Sequence, residues 1–222
     1  MSKKLTESQI RGLATEYNVD YAALRAVVEV ESRGSGFGAD NKPIILFEPH
    51  IYWRELDKKN YTNLKLKMQA ANPKLLYPKW KTYPYGPTST QHQRLADAAN
   101  LVFKVLPNLD PRNADDFTII NNVKEAAYAS CSWGLGQVMG FNWKALGYNS
   151  IQEFVSKMEE SEAGQLDAML RFCKVNNLIG KLQSKNFADF ARGYNGSGYE
   201  QNNYDGKLLS AFNKFKNDAL NA

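Results

Sequence analysis

The sequence predicts an α+β fold that is mainly α, with one small β region near residues 42–50. Two observations carry this. Apolar residues return at three- and four-residue spacing through most of the 222 residues, the mark of amphipathic helices around a core. One continuous apolar run, Ile44-Ile45-Leu46-Phe47 behind Pro43, breaks that period and reads as a short buried strand leading into Glu48-Pro49-His50. With 43% hydrophobic residues the chain can bury a substantial core and suits one domain over residues 1–222.

The elements follow in order. A first helix is expected over 5–17, with Thr6 or Ser8 near its start and Asn18 near its stop. A second, over 21–32, has Asp20 as a good N-cap type. At about 100° per residue, Leu24, Val27, Val28 and Glu31 share one face, so Glu31 is a carboxylate on an apolar stripe. Glu29 points roughly 200° away, reads as solvated, and can pair with Arg25. Three glycines over 32–38 end regularity, and residues 51–56 turn helical after the strand. Residues 60–90, with Pro73, Pro78, Pro84 and Pro87 among Tyr, Trp and Lys, are expected to form a long ordered loop. Helices return over 88–106 (Leu95, Ala98, Ala99 and Val102 on one face) and 114–129. After the glycine-rich stretch 132–140, further helices are expected around 143–146, 151–159, 162–176, 187–194 and 208–220.

Bulk properties narrow the function. Lys plus Arg number 28 against 23 Asp plus Glu, a net charge of +5, which favours an anionic partner such as nucleic acid, a membrane surface or a cell-wall polymer. The basic residues are scattered and form no stripe of the kind that tracks nucleic acid, so a nucleic-acid partner is not expected. Cys131 and Cys173 read as buried free thiols, and His50 and His92 have no ligand-spaced company, so neither metal nor cofactor is expected. The basic N-terminus is followed by no apolar core of a secretory signal, and no apolar run approaches the ~20 residues of a membrane span. The expectation is a soluble chain made in the cytoplasm.

Three polar, glycine-containing segments each follow or end an apolar helical pattern: Glu31 to Phe37, Ser132 to Gln137, and Ala191 to Gly196. Each could sit at the rim of one cleft, where glycine lets backbone approach a ligand closely. Gln137 and Asn195 offer a donor and an acceptor to sugar hydroxyls and acetamido groups, and Trp133 and Tyr194 offer flat faces. Taken singly, each also reads as a turn glycine, a packed aromatic or a capping amide. A carboxyl in apolar surroundings has its charged form disfavoured, which keeps an acid protonated near neutral pH. Glu31 is therefore the candidate proton donor.

In combination, Val30-Glu-Ser-Arg-Gly-Ser-Gly-Phe37, Ile45-Leu-Phe-Glu-Pro-His50, Ser132-Trp-Gly-Leu-Gly-Gln-Val-Met-Gly140 and Phe190-Ala-Arg-Gly-Tyr-Asn-Gly196 resemble the N-acetylmuramidase family of phage and prophage endolysins. That family is related to goose-type lysozymes and soluble lytic transglycosylases. The resemblance runs from about Leu5 to Ala219; one departure is Cys131-Ser132, where Ala-Ser is more usual. It implies a lysozyme-like fold and hydrolysis of the β-1,4 bond between N-acetylmuramic acid and N-acetylglucosamine in bacterial peptidoglycan. Glu31 maps onto the catalytic glutamate, with Ser132, Trp133, Gly134, Gln137, Tyr194 and Asn195 as cleft-wall, substrate-binding positions. It further implies a monomer that waits in the host cytoplasm for a holin-type pore to admit it to the periplasm and cell wall.

The second carboxylate stays open. Glu48, seventeen positions after Glu31, could act across a cleft, or it could be structural, bonding backbone near Pro49 or pairing with Arg54. A separation of roughly 5 Å would suit a nucleophile, and about 6.5–9.5 Å an interposed water. Asp40 is a rival that reads equally as a turn residue, and a lytic transglycosylase forming 1,6-anhydro ends would need neither. A non-catalytic peptidoglycan-binding protein on the same scaffold is the remaining alternative. At the C-terminus, Leu208, Phe212 and Phe215 form a stripe with Lys207, Lys214 and Lys216 elsewhere on the helix. The stripe fits either a helix docked on its own domain or a weak outer-membrane contact.

Overall fold

The chain of the computed structural model, described over residues 3–32 and 35–219, opens with α1 (Glu7–Glu16) and α2 (Tyr21–Ser32). It continues through β1 (Ile45–Phe47), α3 (Pro49–Lys58), α4 (Thr62–Ala71), α5 (Gln91–Val105), α6 (Ala114–Ala129), β2 (Cys131–Trp133) and β3 (Val138–Met139). The remainder is α7 (Ile151–Glu160), α8 (Glu162–Val175), α9 (Ile179–Gln183), α10 (Phe187–Asn195) and α11 (Tyr204–Ala219). The mainly helical fold with a small antiparallel sheet is the one the sequence predicts. Arg33, Gly34 and Leu220, which fall in the expected motif and last helix, lie outside the described residues.

Two compact units share the chain. The first takes Met1–Pro43, Gly134–Val138 and Lys157–Ala222; the second takes Ile44–Trp133 and Met139–Ser156. In the first unit α1 starts in a capping box, Thr6 and Gln9 reciprocally bonding each other's backbone N–H. Asp20 accepts from Ala23 N at 3.1 Å, the cap the sequence predicts for α2. The apolar face of α2 is packed against α11: Leu24, Val27, Leu208 and Phe215 are all 5% exposed or less. Phe212 meets Phe187 of α10 at 5.5 Å between ring centroids, and the Arg25 guanidinium lies over the Phe215 ring. The C-terminal stripe is thus spent on its own unit, which removes the apolar face a membrane contact would need. The surface charges pair across helices rather than along α2. Arg25 bridges to Glu7, and Glu29 to Lys214 at 2.8 Å, in place of the Glu29–Arg25 pair expected from helical spacing.

In the second unit β1 pairs antiparallel with β2, in the register Ile45↔Trp133, Leu46↔Ser132 and Phe47↔Cys131. β3 completes a sheet of order β1-β2-β3. Tyr52, Leu56, Met68, Leu101 and Phe154 build the core there. The expected loop over 60–90 contains helix α4, which turns only Lys65 and Met68 inward and leaves Leu66 half exposed. Residues 140–142 form a short 3-10 turn in place of the helix expected at 143–146. Cys131 and Cys173 are free and buried. Among the described residues no helix is long and apolar enough to cross a membrane.

Candidate active site

Glu31 lies in the last turn of helix α2, one residue before its end at Ser32. Burial pushes its carboxyl up to about 8, only partly opposed by a hydrogen bond from the Asn195 side chain. Its Oε1 is enclosed and has no hydrogen-bond partner among the described residues. One oxygen is thus oriented by an amide at the end of α10, and the other is left to carry a proton. No charged neighbour contributes to the shift. The acid is held neutral by desolvation alone, the arrangement that makes a glutamic acid a proton donor at neutral pH.

Parts of the three glycine segments (Gly36, Gly134 to Gln137, and Tyr194-Asn195) lie in the first unit with this acid, and a residue the sequence reading missed gathers two of them. Gln165 of α8 is 1% exposed. Its Oε1 accepts from Leu135 N at 2.9 Å, and its Nε2 donates to Met158 O at 2.8 Å and Gly36 O at 3.4 Å. A Cβ at Gly36 or Gly134 would run into the Gln165 carboxamide, so both positions need glycine for close approach; Gly134 also has φ +66°. Glu162, one turn earlier on α8, accepts from Leu5 N and Gly36 N at 2.9 Å each and from Lys4 Nζ. These donors hold its carboxyl below the usual range in spite of burial. Tyr194 ties the third segment in by donating to Gly136 O at 2.7 Å, with its ring stacked on Phe190. Burial raises that hydroxyl's pKa, and the nearby charge sites of Glu31 and Cys173 raise it further.

Removing the Gln165 clamp would orphan Leu135 N–H and the Met158 carbonyl and leave a cavity. Gln165→Ala is therefore expected to cost about 2–4 kcal/mol in urea unfolding, with loss of activity below the unfolding midpoint. A cost under about 1 kcal/mol would show that the clamp is dispensable.

The other candidates are distributed as follows. Gln137 is exposed at φ +46°, and its Nε2 donates to Gly134 O at 2.8 Å, closing the turn that carries it. Asp40 is exposed and accepts from Lys42 N at 3.2 Å, the turn role rather than that of a buried carboxylate. Trp133 corrects an expectation: it is 1% exposed, stacked on Tyr128 at 6.0 Å and edge-on to Phe154, so its faces serve the core of the second unit. Ser132 is likewise buried, in the strand ladder opposite Leu46.

Glu48, in the second unit, is the residue before helix α3 but makes no side-chain cap bond. It accepts instead from Tyr85 OH at 3.3 Å, and that hydroxyl also meets His50 Nδ1 at 3.3 Å. Burial raises Glu48, opposed by Tyr85 and by the Arg54 charge. Burial and Arg54 lower His50, so its 3.9 Å approach to Glu48 is a contact with a neutral ring near pH 7. Glu48 is thus a half-buried carboxyl tied to a tyrosine. Among the described residues no group of three or more His, Cys, Asp and Glu could hold a metal ion.

A half-buried acid oriented by an amide, beside glycine turns joined by Gln165, is an arrangement that fits a glycoside hydrolase. The chain belongs to the N-acetylmuramidase family, whose model matches residues 20–216, and is a peptidoglycan hydrolase. It is similar to the crystal structure of the Burkholderia AP3 phage endolysin at 35% identity and a TM-score of 0.79. That alignment covers 98% of this chain and 73% of the endolysin. A comparison with curated proteins returned no match.

Proposed function

We propose that this protein is a phage or prophage endolysin that hydrolyses the β-1,4 bond between N-acetylmuramic acid and N-acetylglucosamine, with Glu31 as general acid. The observation that carries the reading is the Glu31 carboxyl itself: neutral to about pH 8, with one oxygen held by Asn195 and the other unpartnered. Such a group protonates the leaving glycosidic oxygen as positive charge builds on the sugar ring, and Asn195 then steadies the carboxylate that remains. Gly134, Gln137 and Tyr194 serve as walls that present backbone and amide groups to sugar substituents. The interleaving of the two units along the chain supports reading residues 1–222 as one catalytic domain. Net charge of +5 favours the anionic wall, and salt weakens that attraction. Release through a holin-type pore would bring the enzyme from host cytoplasm to wall.

Glu48 is the second carboxylate in this reading, with Tyr85 holding its orientation. Digestion of purified sacculi followed by mass spectrometry is expected to yield reducing muramic ends, each heavier by one water than the 1,6-anhydro ends of a transglycosylase. Glu48→Gln is expected to lower hydrolysis about 10²–10³-fold. Anhydro ends from the wild-type protein, with Glu48→Gln fully active, would replace hydrolysis by the transglycosylase reaction.

A further inference from the structure

The second unit holds Glu48 in a fixed polar setting. Gln91, the first residue of α5, is 1% exposed. Its Oε1 accepts from Phe47 N at 3.1 Å, and its Nε2 donates to Tyr85 O at 2.8 Å and to the carbonyls of Gly86 and Pro87 at 3.3 and 3.2 Å. One buried amide thus fastens the turn that carries Tyr85 to the end of β1, the residue before Glu48. Glu48 N in turn donates to Ser130 O at 3.1 Å. The backbone on both sides of the Tyr85–Glu48 contact is therefore anchored.

The Tyr85 hydroxyl stands 3.3 Å from Glu48 Oε2 and 3.3 Å from His50 Nδ1, and it has one proton to give. An ionised carboxylate only accepts, so with Glu48 charged the phenol proton must point at it. The phenol oxygen then meets Nδ1 as an acceptor, and the imidazole, neutral near pH 7, must carry its single proton there. Donation runs in one direction, from His50 Nδ1–H to Tyr85 and from Tyr85 to Glu48. The Trp80 indole N–H also reaches that phenol oxygen. Each donor polarises the O–H toward the carboxylate. The opposite tautomer gains little, because Nε2 lies 3.9 Å from Glu48 Oε2, beyond hydrogen-bond reach.

We propose that His50 is a positioning residue for Glu48: through Tyr85 it keeps the phenol proton on Glu48 Oε2 and so holds that carboxylate in the charged form a base requires. This rests on the reading of Glu48 as the second carboxylate. The other titratable or charged groups close to Glu48 are Arg54 of α3, Tyr77 in the loop before α5 and Cys131 of β2. Arg54 favours the charged form from a half-exposed side chain. Tyr77 and Cys131 are neutral near pH 7, because burial raises both.

The first measurement needs no activity. The chain has two histidines, His50 and His92, so nitrogen–proton NMR spectra near neutral pH resolve both rings, and His92→Gln assigns them. His50 is expected in the Nδ1–H form, the minor tautomer of free histidine, and Tyr85→Phe should return it to Nε2–H. An Nε2–H ring in the wild-type protein would overturn the proposal. The second measurement is the pH profile of kcat/KM. A donor to the charged form lowers a carboxyl's pKa, so its loss moves the acid limb, where Glu48 takes up a proton, to higher pH. Tyr85→Phe is expected to move that limb up by about 1–2 pH units and to leave the alkaline limb in place. His50→Leu should move it in the same direction by less, whereas His50→Asn, whose amide N–H falls near Nδ1, should restore it. Thermal melting checks that each variant folds. An acid limb unmoved in Tyr85→Phe and His50→Leu, with Glu48→Gln strongly impaired, would overturn the role of His50 and leave Glu48 as the second carboxylate. Full activity of Glu48→Gln would overturn both.

Discussion

Glu31→Gln is expected to lower kcat on peptidoglycan by about 10²–10⁴-fold while leaving binding to sacculi nearly unchanged. Glutamine fills the same volume and can still bond Asn195, but it carries no transferable proton. The loss should therefore fall on the chemical step, with a smaller effect on KM. The wild-type pH profile supplies an internal check. With the carboxyl held near 8, kcat/KM should fall above that pH as the acid empties, with the steepness of a single proton. An acid at the ordinary carboxylate value would place that fall several units lower. Reducing-end release from sacculi, with a cosedimentation assay in parallel, measures both quantities. Retention of more than about a tenth of wild-type turnover by Glu31→Gln would remove the proton-donor role.

Glu31 was legible in the sequence because one physical rule exposes it: a carboxylate at the position where helical spacing demands an apolar side chain. Leu24, Val27 and Val28 on that stripe are all 9% exposed or less, and the acid at its end is half-buried with its Oε1 enclosed. The same rule, applied to α8, would have found the residues that were missed. Glu162 and Gln165 lie on one face with Leu166, Met169 and Cys173, all five of them buried. Their partners, Leu5, Gly36 and Leu135, are distant in sequence, so the role of each could not be read even where the burial could.

Other features left no trace that local spacing can detect. Strands β2 and β3 are three and two residues long, shorter than any periodic window, and exist because β1 offers β2 an edge. Helix α4 buries Lys65, whose ammonium lies over the Trp53 ring and pairs with Asp57. A lysine in an apolar slot erases the stripe by which a helix is recognised. Trp133 misled in the opposite direction. Its neighbours in sequence are polar and glycine-rich, but Tyr128 stacks on the indole and Phe154 meets it edge-on. Asn195 is the counterpart case: an amide read from motif resemblance that meets the acid directly.

The burial that makes Glu31 an acid should also be visible as a stability penalty that deepens with pH. Its carboxyl titrates near 4.5 when unfolded and near 8 when folded, so between those values the native state holds more proton than the unfolded chain. Stability must then fall as pH rises from about 4.5 to about 8, and this contribution is flat on either side. A shift of that size corresponds to on the order of 3–5 kcal/mol at full ionisation. Glu31→Gln cannot ionise and should escape the penalty. The variant should match wild type at pH 4 and melt about 6–20 °C higher at pH 9, if each kcal/mol moves Tm by roughly 2–4 °C in a chain of this size. Other titrating groups, Glu48 and the buried tyrosines among them, remain in both proteins and drop out of the difference. Melting curves for both proteins at several pH values are sufficient. Parallel curves across that range would mean that Glu31 ionises in the fold as freely as in water. A diverging pair would show one residue trading stability for a proton held ready, a trade expected where function is built from a buried charge.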